Sequence, residues 1–536
     1  MRKRSFIFAI ILTLLSVLAI GCSSDSNNEE AAEESGQSEE GGTLVIAKGG
    51  DAVTLDPSEA MDSESENITF SILETLVTFA EGEMTVEPQL ATEWEESDDG
   101  LTYTFHLREG VKFHDGTDFN AEAVVYNFER WMNAQDMDRF YMYGSVFGGF
   151  VGDENHLLES VEAVDEHTVE FTLKNPSPTF LKDLALPAFS ISSPAAIEEH
   201  GDKYNSNPVG TGPFVFEEWR QNERIVVSKN EDYWLDGYPK LDQIIFRVIP
   251  DNSARLNALV SGEIDMMDGV EPENIEEIEN NEDLRILTRP SLNLGYIGLT
   301  TTREPMDNKL VRQALNHAID KDTIIESFFA GQAIPAKNPI PPSVEGYNDD
   351  IEGYAYDPEK AKELLEEAGL GDGFDMELWA MPVARPYMPD SNKVAEYVQS
   401  NLADIGVNAE IVSYEWATYQ EKAVEGEADA FFLGWTGTNG DAHDFIYTLF
   451  HEDSIGSLNS TQFSNEELND VLDEARTTID QEKRNELYHR AQEIMHEEAP
   501  IIPLVHTTPA LAANASVTGF DPHPTGRIIT TKIAIE

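Results

Sequence analysis

With 536 residues, 40% of them apolar, the chain can bury more than one core, and at roughly 100 to 200 residues per domain about three domains are expected. Its 101 acidic against 35 basic side chains leave a formal net charge of -66, which excludes nucleic acid as a partner, because a phosphate backbone demands a basic footprint. A single cysteine, Cys22, excludes disulfides within the chain.

Arg2, Lys3 and Arg4 precede an apolar run from Phe6 to Ile20 that stops at Gly21 and Cys22, the build of an export signal rather than of a spanning helix, which needs about 20 apolar residues. Leu18-Ala19-Ile20-Gly21-Cys22 resembles the lipobox of bacterial lipoproteins, with Ala19 where Leu is more usual. The resemblance implies cleavage before Cys22 and a diacylglycerol on its thiol, which an exported chain would otherwise leave open to oxidation. From Ser23 to Gly42 there are seven acidic side chains and no aliphatic larger than Ala, so this stretch does not repay the cost of ordering and reads as a tether.

In the body, Thr43-Leu-Val-Ile-Ala47 reads as a short apolar strand. Leu101, Tyr103, Phe105 and Leu107 alternate with polar residues at period two, the pattern of a half-buried strand. Asp115-Gly116-Thr117 then turns the chain, and Asn120 caps a helix with Val124, Phe128 and Trp131 on one face. Val169, Phe171 and Leu173 alternate again. Leu310, Val311, Ala314, Leu315, Ala318 and Ile319 form a helical stripe with Asp307 near its start. Asp357-Pro358-Glu359 opens another helix, closed by Gly369, that turns Ala361, Leu364, Leu365 and Ala368 inward. A fourth helix carries Leu487, Ala491 and Ile494 before Pro500, and residues 501–505 read as a strand. The fold class is α/β, with no repeat at a fixed period.

No GxSxG elbow, HExxH helix, GxxxxGK loop, CxxC pair or calcium-loop spacing occurs. Asp441, His443 and Asp444 beside Gly440 are the nearest approach to a metal cluster, and loop residues of this kind are more often turn-formers than ligands. No catalytic residue, metal or cofactor is called for.

Pro88-Gln-Leu-Ala-Thr-Glu-Trp94, then LTYTFHLREGVKFHDGTDFNAEAVVYNFERW from Leu101 to Trp131, resembles the signature of the family 5 extracellular solute-binding proteins of ABC importers, which includes dipeptide- and oligopeptide-binding proteins. Gly210-Thr-Gly-Pro-Phe214, the stretch Asn230 to Asp251, Arg255 to Asp265 and Val311 to Asp320 match further family segments in order. The resemblance implies a two-lobe fold like that of periplasmic binding proteins, with an extra domain in the first lobe and a hinge between lobes. It implies a signal and lipobox over 1–22, a tether over 23–42, a first lobe over 43–290 with the extra domain at about 70–185, a second lobe over 291–505 and a return to the first lobe over 506–536. The hinge falls at Ser291 to Gly298 and Pro500 to His506.

Met381-Pro-Val-Ala-Arg-Pro-Tyr387 and Gly434-Trp-Thr-Gly-Thr-Asn-Gly-Asp441 are similar to the two pocket segments of dipeptide-binding members. The resemblance assigns the peptide carboxylate to Arg385, whose planar guanidinium matches a carboxylate and stays charged when buried. Tyr387 and Trp435 are candidates for the pocket wall. The position that usually holds an aspartate for the peptide ammonium is Thr438, and a hydroxyl does not balance a buried ammonium. Either Asp441 or Asp444 substitutes, or the ligand carries its own neighbouring carboxylate, as glutathione does. The expected partners are a peptide-like ligand, an ABC permease and the membrane through Cys22, with the chain a monomer on the outer face of the cell membrane or in the periplasm. An exported peptide hydrolase, or the same fold holding nickel or a sugar, is the alternative.

Removing the three basic residues of the signal takes the net charge from -66 to -69. Such self-repulsion destabilises a compact state unless salt screens it, to about 3 Å near molar salt, and it suits a saline or alkaline habitat. The melting temperature is expected to rise between low and about molar NaCl; an unchanged value would show that the acidity is only a solvated surface.

Overall fold

A computed structural model describes residues 41–536. The export signal, Cys22 and all but the last two residues of the tether lie outside the described residues.

Thr43–Lys48 enters a mixed sheet in the order Leu284–Thr288, Ala510–Asn514, Met266–Asp268, Thr43–Lys48, Gln243–Val248, Arg224–Lys229 and Phe214–Arg220. It pairs in parallel with Gln243–Val248 and with Met266–Asp268. Leu44, Ile46, Ile225, Val227, Ile244 and Phe246 fill the core on one face.

Between Lys48 and Phe214 the chain builds a separate antiparallel sheet, in the order Ala91–Glu96, Thr102–Leu107, Thr168–Leu173 and Leu158–Asp165. The period-two pattern does what it implies: Tyr103, Phe105 and Leu107 are buried between half-exposed neighbours, as are Val169, Phe171 and Leu173. Helix Ala121–Met132 lays Val124, Phe128 and Trp131 against them. The ring of Phe128 meets Phe171 and Trp131 edge-on, each at 4.8 Å, a geometry worth about 0.5 to 1.5 kcal/mol beyond area.

The second large sheet runs Ala333–Pro335, Ile501–Thr507, Asn293–Leu299, Ala430–Thr436, Phe374–Trp379, Val407–Val412. Two adjacent inner strands, Asn293–Leu299 and Ile501–Thr507, are buried along their whole length. The chain passes between the two large sheets at residues 289–292 and 508–509. The hinge expected at Ser291 to Gly298 and Pro500 to His506 is therefore displaced outward: most of those residues are core strands. An apolar run reads the same whether it ends in a hinge or continues as a buried strand.

Asp357 caps helix Pro358–Glu367 with a side-chain bond to the Lys360 N–H, and Gly369 follows at φ +79°. Helix Lys309–Ala318 starts two residues after Asp307, as expected. Asn308, not Asp307, bonds the Leu310 N–H at 3.0 Å, while the Asp307 N–H is taken up by the preceding turn at Arg303 O. Asn120 Oδ1 accepts the Ala123 N–H at 3.0 Å. Asn120→Ala is expected to cost about 1 kcal/mol through loss of that cap, read as a lower urea midpoint; a midpoint equal to wild type would remove the cap from the account.

Candidate ligand-binding site

Phe374–Trp379 pairs in parallel with Val407–Val412 on one side and with Ala430–Thr436 on the other. All three carboxyl ends therefore open at one edge of the second sheet, the place where open α/β sheets receive ligands. The connections to the first lobe leave from the same edge, since Asn293 lies opposite Thr436, and Thr507 ends the strand antiparallel to Asn293–Leu299. The three loops that follow carry, in order, Arg385 and Tyr387, then Trp416, then Thr438 and Asp441.

The first loop closes on itself. Arg385 and Met388 exchange backbone hydrogen bonds of 3.1 and 2.9 Å. It rests on two glycines that face each other across the sheet, Gly295 and Gly434. A Cβ on Gly434 would stand 2.3 Å from the Tyr387 ring, and one on Gly295 would stand 2.6 Å from the Tyr387 carbonyl. The Thr507 hydroxyl lies 3.1 Å from Pro386 O. Tyr387 is buried, which raises its phenol, and the charge of Arg385 partly offsets that. Arg385 is half-exposed, and among the described residues no carboxylate lies within 4.0 Å of it. Its guanidinium instead sits 4.7 Å from the Trp416 ring centroid.

Strand alternation turns Trp435 to the face opposite Gly434, so Trp435 belongs to a second group. Its indole donates to Asp444 Oδ1 at 3.1 Å, and the exposed Thr438 donates its N–H to Asp444 Oδ2 at 2.8 Å, with its hydroxyl at 3.2 Å. Burial pushes the Asp444 carboxyl up, while the Thr438 N–H and the Trp435 indole hold it down. Asp441 has a different task. Its carboxylate takes both Arg484 nitrogens, at 2.6 and 2.7 Å, and caps helix Ala442–Phe450 through the His443 N–H. Burial alone would raise its carboxyl; Arg484 overrides that and holds it well below the ordinary range. The His443 ring stacks on Tyr447 at 4.6 Å, and burial pulls it down to about 4. Among the described residues no group of three such side chains could hold a metal ion.

The same edge touches helix Phe180–Leu184, which follows the four-stranded antiparallel sheet. Asn439 Nδ2 donates to Asp183 Oδ1 at 2.8 Å, and Lys182 pairs with Glu345 at 3.0 Å and reaches Asp441 at 3.8 Å. Burial raises the Asp183 carboxyl to about 6, against hydrogen bonds from Asn439 and Thr179 and with Asp441 and Asp444 adding to the rise. Beside this seam an open cavity of about 660 Å³ is lined by both lobes, among them Met84, Val86, Lys182, Pro290, Val344 and Glu345, a size typical of ligand clefts.

Sequence reasoning missed Trp416, Asp183 and Arg484. Trp416 had a readable signal, since it follows a strand parallel to the two that lead into the pocket segments. Asp183 and Arg484 had none, because what defines them is a contact made across the fold.

Two mixed sheets joined by two crossings, with three strand ends opening at one edge and a separate open cavity, lined by none of the candidate site residues, beside the crossing, have the architecture of a two-lobe solute-binding protein. The family model for bacterial extracellular solute-binding proteins, family 5, matches residues 85–457. The chain is 40% identical to a dipeptide-binding protein of Escherichia coli (strain K12), over 86% of this chain and 88% of that one. It is 37% identical to heme-binding protein A of Haemophilus influenzae, over 95% of each, and 36% identical to a glutathione-binding protein of Escherichia coli O1:K1 / APEC, over 89% and 91%. The solved structure of HbpA2 from Haemophilus parasuis superposes with a TM-score of 0.87 at 34% identity, over 92% of this chain and all of that one. The chain belongs to the family 5 solute-binding proteins of ABC importers.

A carboxyl whose folded value is raised from the ordinary 3.8 to about 6 contributes stability that is full below about pH 4 and is lost as pH rises through about 6. Wild type is therefore expected to gain on Asp183→Asn in thermal unfolding as pH falls from about 7 to about 4. A gap that stays constant across that range would show that Asp183 does not titrate there.

Proposed function

We propose that the protein captures a carboxylate-bearing peptide between its lobes, outside the cytoplasm, and delivers it to an ABC permease while anchored by lipid at Cys22. In this reading the lobes are residues 43–290 with the extra domain at about 70–185, and 291–505, with 506–536 returning to the first. Closure follows from the ligand's greater affinity for the closed form. Among the described residues no helix is long and apolar enough to cross a membrane.

The observation that carries the reading is Arg385: a half-exposed guanidinium at the carboxyl edge of the sheet with, among the described residues, no carboxylate within 4.0 Å. Tyr387 and Trp435 flank the strand end from its two faces. A dipeptide ammonium would meet Thr438, a neutral hydroxyl with the Asp444 charge one bond behind it. Asp441 would act from behind, holding the loop through Arg484. Glutathione suits this arrangement because its γ-glutamyl end brings a carboxylate beside its own ammonium and its glycine end still offers one to Arg385. Relatives of comparable identity carry dipeptide, heme and glutathione in their names, so the pocket, not the degree of identity, decides the ligand.

The test is a thermal-shift panel on the chain from Ser23 in about molar salt, with dipeptides, an oligopeptide, oxidised and reduced glutathione, and haem. A ligand at about 100 times its dissociation constant adds about 2.7 kcal/mol of stability. The expected result is a shift with a carboxylate-bearing peptide that is recovered unchanged, abolished in Arg385→Gln, and a gain in dipeptide affinity in Thr438→Asp. Silence across the panel, or a shift with haem alone that Arg385→Gln leaves intact, would overturn the reading.

A further inference from the structure

We propose that Trp416 is a positioning residue that aims Arg385 at the ligand and makes the site selective for a free carboxylate. The proposal rests on the reading of Arg385 as the ligand anchor. Trp416 opens helix Trp416–Val424, which follows the parallel strand Val407–Val412, so the sheet delivers it to the same edge as Arg385. Its indole stacks on Tyr419 at 5.7 Å with the rings 18° apart. Tyr419 is fully buried, and its hydroxyl lies 2.7 Å from Phe432 O and 3.1 Å from Trp379 O, on the two strands that lead into the pocket loops. Arg385, Trp416 and Tyr419 thus form one pile whose base is fastened to the sheet.

The chemistry of the pile bears on recognition. A guanidinium held over an aromatic face uses its own flat face for the contact and keeps its N–H edge free. An acidic partner would occupy that edge and compete with the ligand carboxylate, and this chain has 101 acidic side chains to supply one. Holding the arginine on a ring restrains it while leaving its N–H edge without a carboxylate among the described residues. The restraint also removes part of the side-chain ordering that a ligand would otherwise have to drive.

The test compares wild type, Trp416→Leu, Trp416→Phe, Arg385→Gln and the double variant Arg385→Gln/Trp416→Leu by calorimetry. The probes are alanyl-phenylalanine, trialanine and glutathione, each as the free acid and with its C-terminal carboxyl amidated, with melting temperatures as a folding control. Expected are a loss of about five- to tenfold for the free acids in Trp416→Leu, near-recovery in Trp416→Phe, and amides that bind weakly and do not respond to either change. In the Arg385→Gln background, Trp416→Leu should add nothing. Equal losses for acid and amide, or a loss that persists without Arg385, would reduce Trp416 to a packing residue and overturn the proposal. Acids that bind normally in Arg385→Gln, or no binding of any probe, would overturn the reading of Arg385 itself, and this proposal with it.

Discussion

The molecule turns on one buried amide. Asn293 begins the first strand to cross into the second lobe, and Thr507 ends the last strand before the chain crosses back. Asn293 Nδ2 donates to Thr507 O at 3.1 Å and its Oδ1 accepts the Thr507 N–H at 2.9 Å, while His506 Nδ1 lies 2.8 Å from Asn293 O. An amide carries donors and an acceptor on one rigid plane, so it can fix two strands side by side at a place where the ladder ends. Buried polar groups satisfied in this way specify a single arrangement, because any displacement leaves them unpaired. The Thr507 hydroxyl reaches on to Pro386 O, and the Gly437 N–H donates to Leu292 O at 2.8 Å. Both candidate pocket loops are therefore referenced to the crossing itself.

Electrostatics is arranged around that frame in two ways. Within the second lobe the Asp441–Arg484 pair is buried, bidentate and closed to solvent, a structural use of charge whose breakage would strand an ion in the interior. At the candidate ligand edge, among the described residues, the charges are left incomplete: Arg385 without a carboxylate, and Asp444 with hydrogen-bond donors but no cation within 4.0 Å. The unmet cation belongs to the loop after Phe374–Trp379 and the unmet anion to the first turn of helix Ala442–Phe450.

What the sequence discloses divides along physical lines. Local periodicity and capping are legible because they depend on neighbours in the chain: Tyr103, Phe105 and Leu107 alternate and are buried, and Asn120 and Asp357 cap the helices they precede. Where two adjacent residues could both cap, as at Asp307 and Asn308, composition does not choose, and the preceding turn decides. The hinge is displaced because buried strands and the segments leaving them share one apolar pattern. At the site, the segments bearing Arg385 and Thr438 can be found from their motifs, but their partners cannot. The occupation of Asp441 by Arg484, the seating of Arg385 on Trp416 and the contact of Asp183 with Asn439 all join residues far apart in the chain.

The glycine pair beneath the first pocket loop carries a consequence for how such a protein changes over time. Gly295 and Gly434 make the floor under Tyr387 out of main chain, so its depth does not depend on any side chain that drift could enlarge or shorten. In the proposed reading Arg385 and Thr438 lie beyond that floor, on loops whose replacement would leave the strand segments carrying the two glycines untouched. On that arrangement a change of solute and the upkeep of the scaffold would call on separate sets of positions, so the one could be altered without first risking the other.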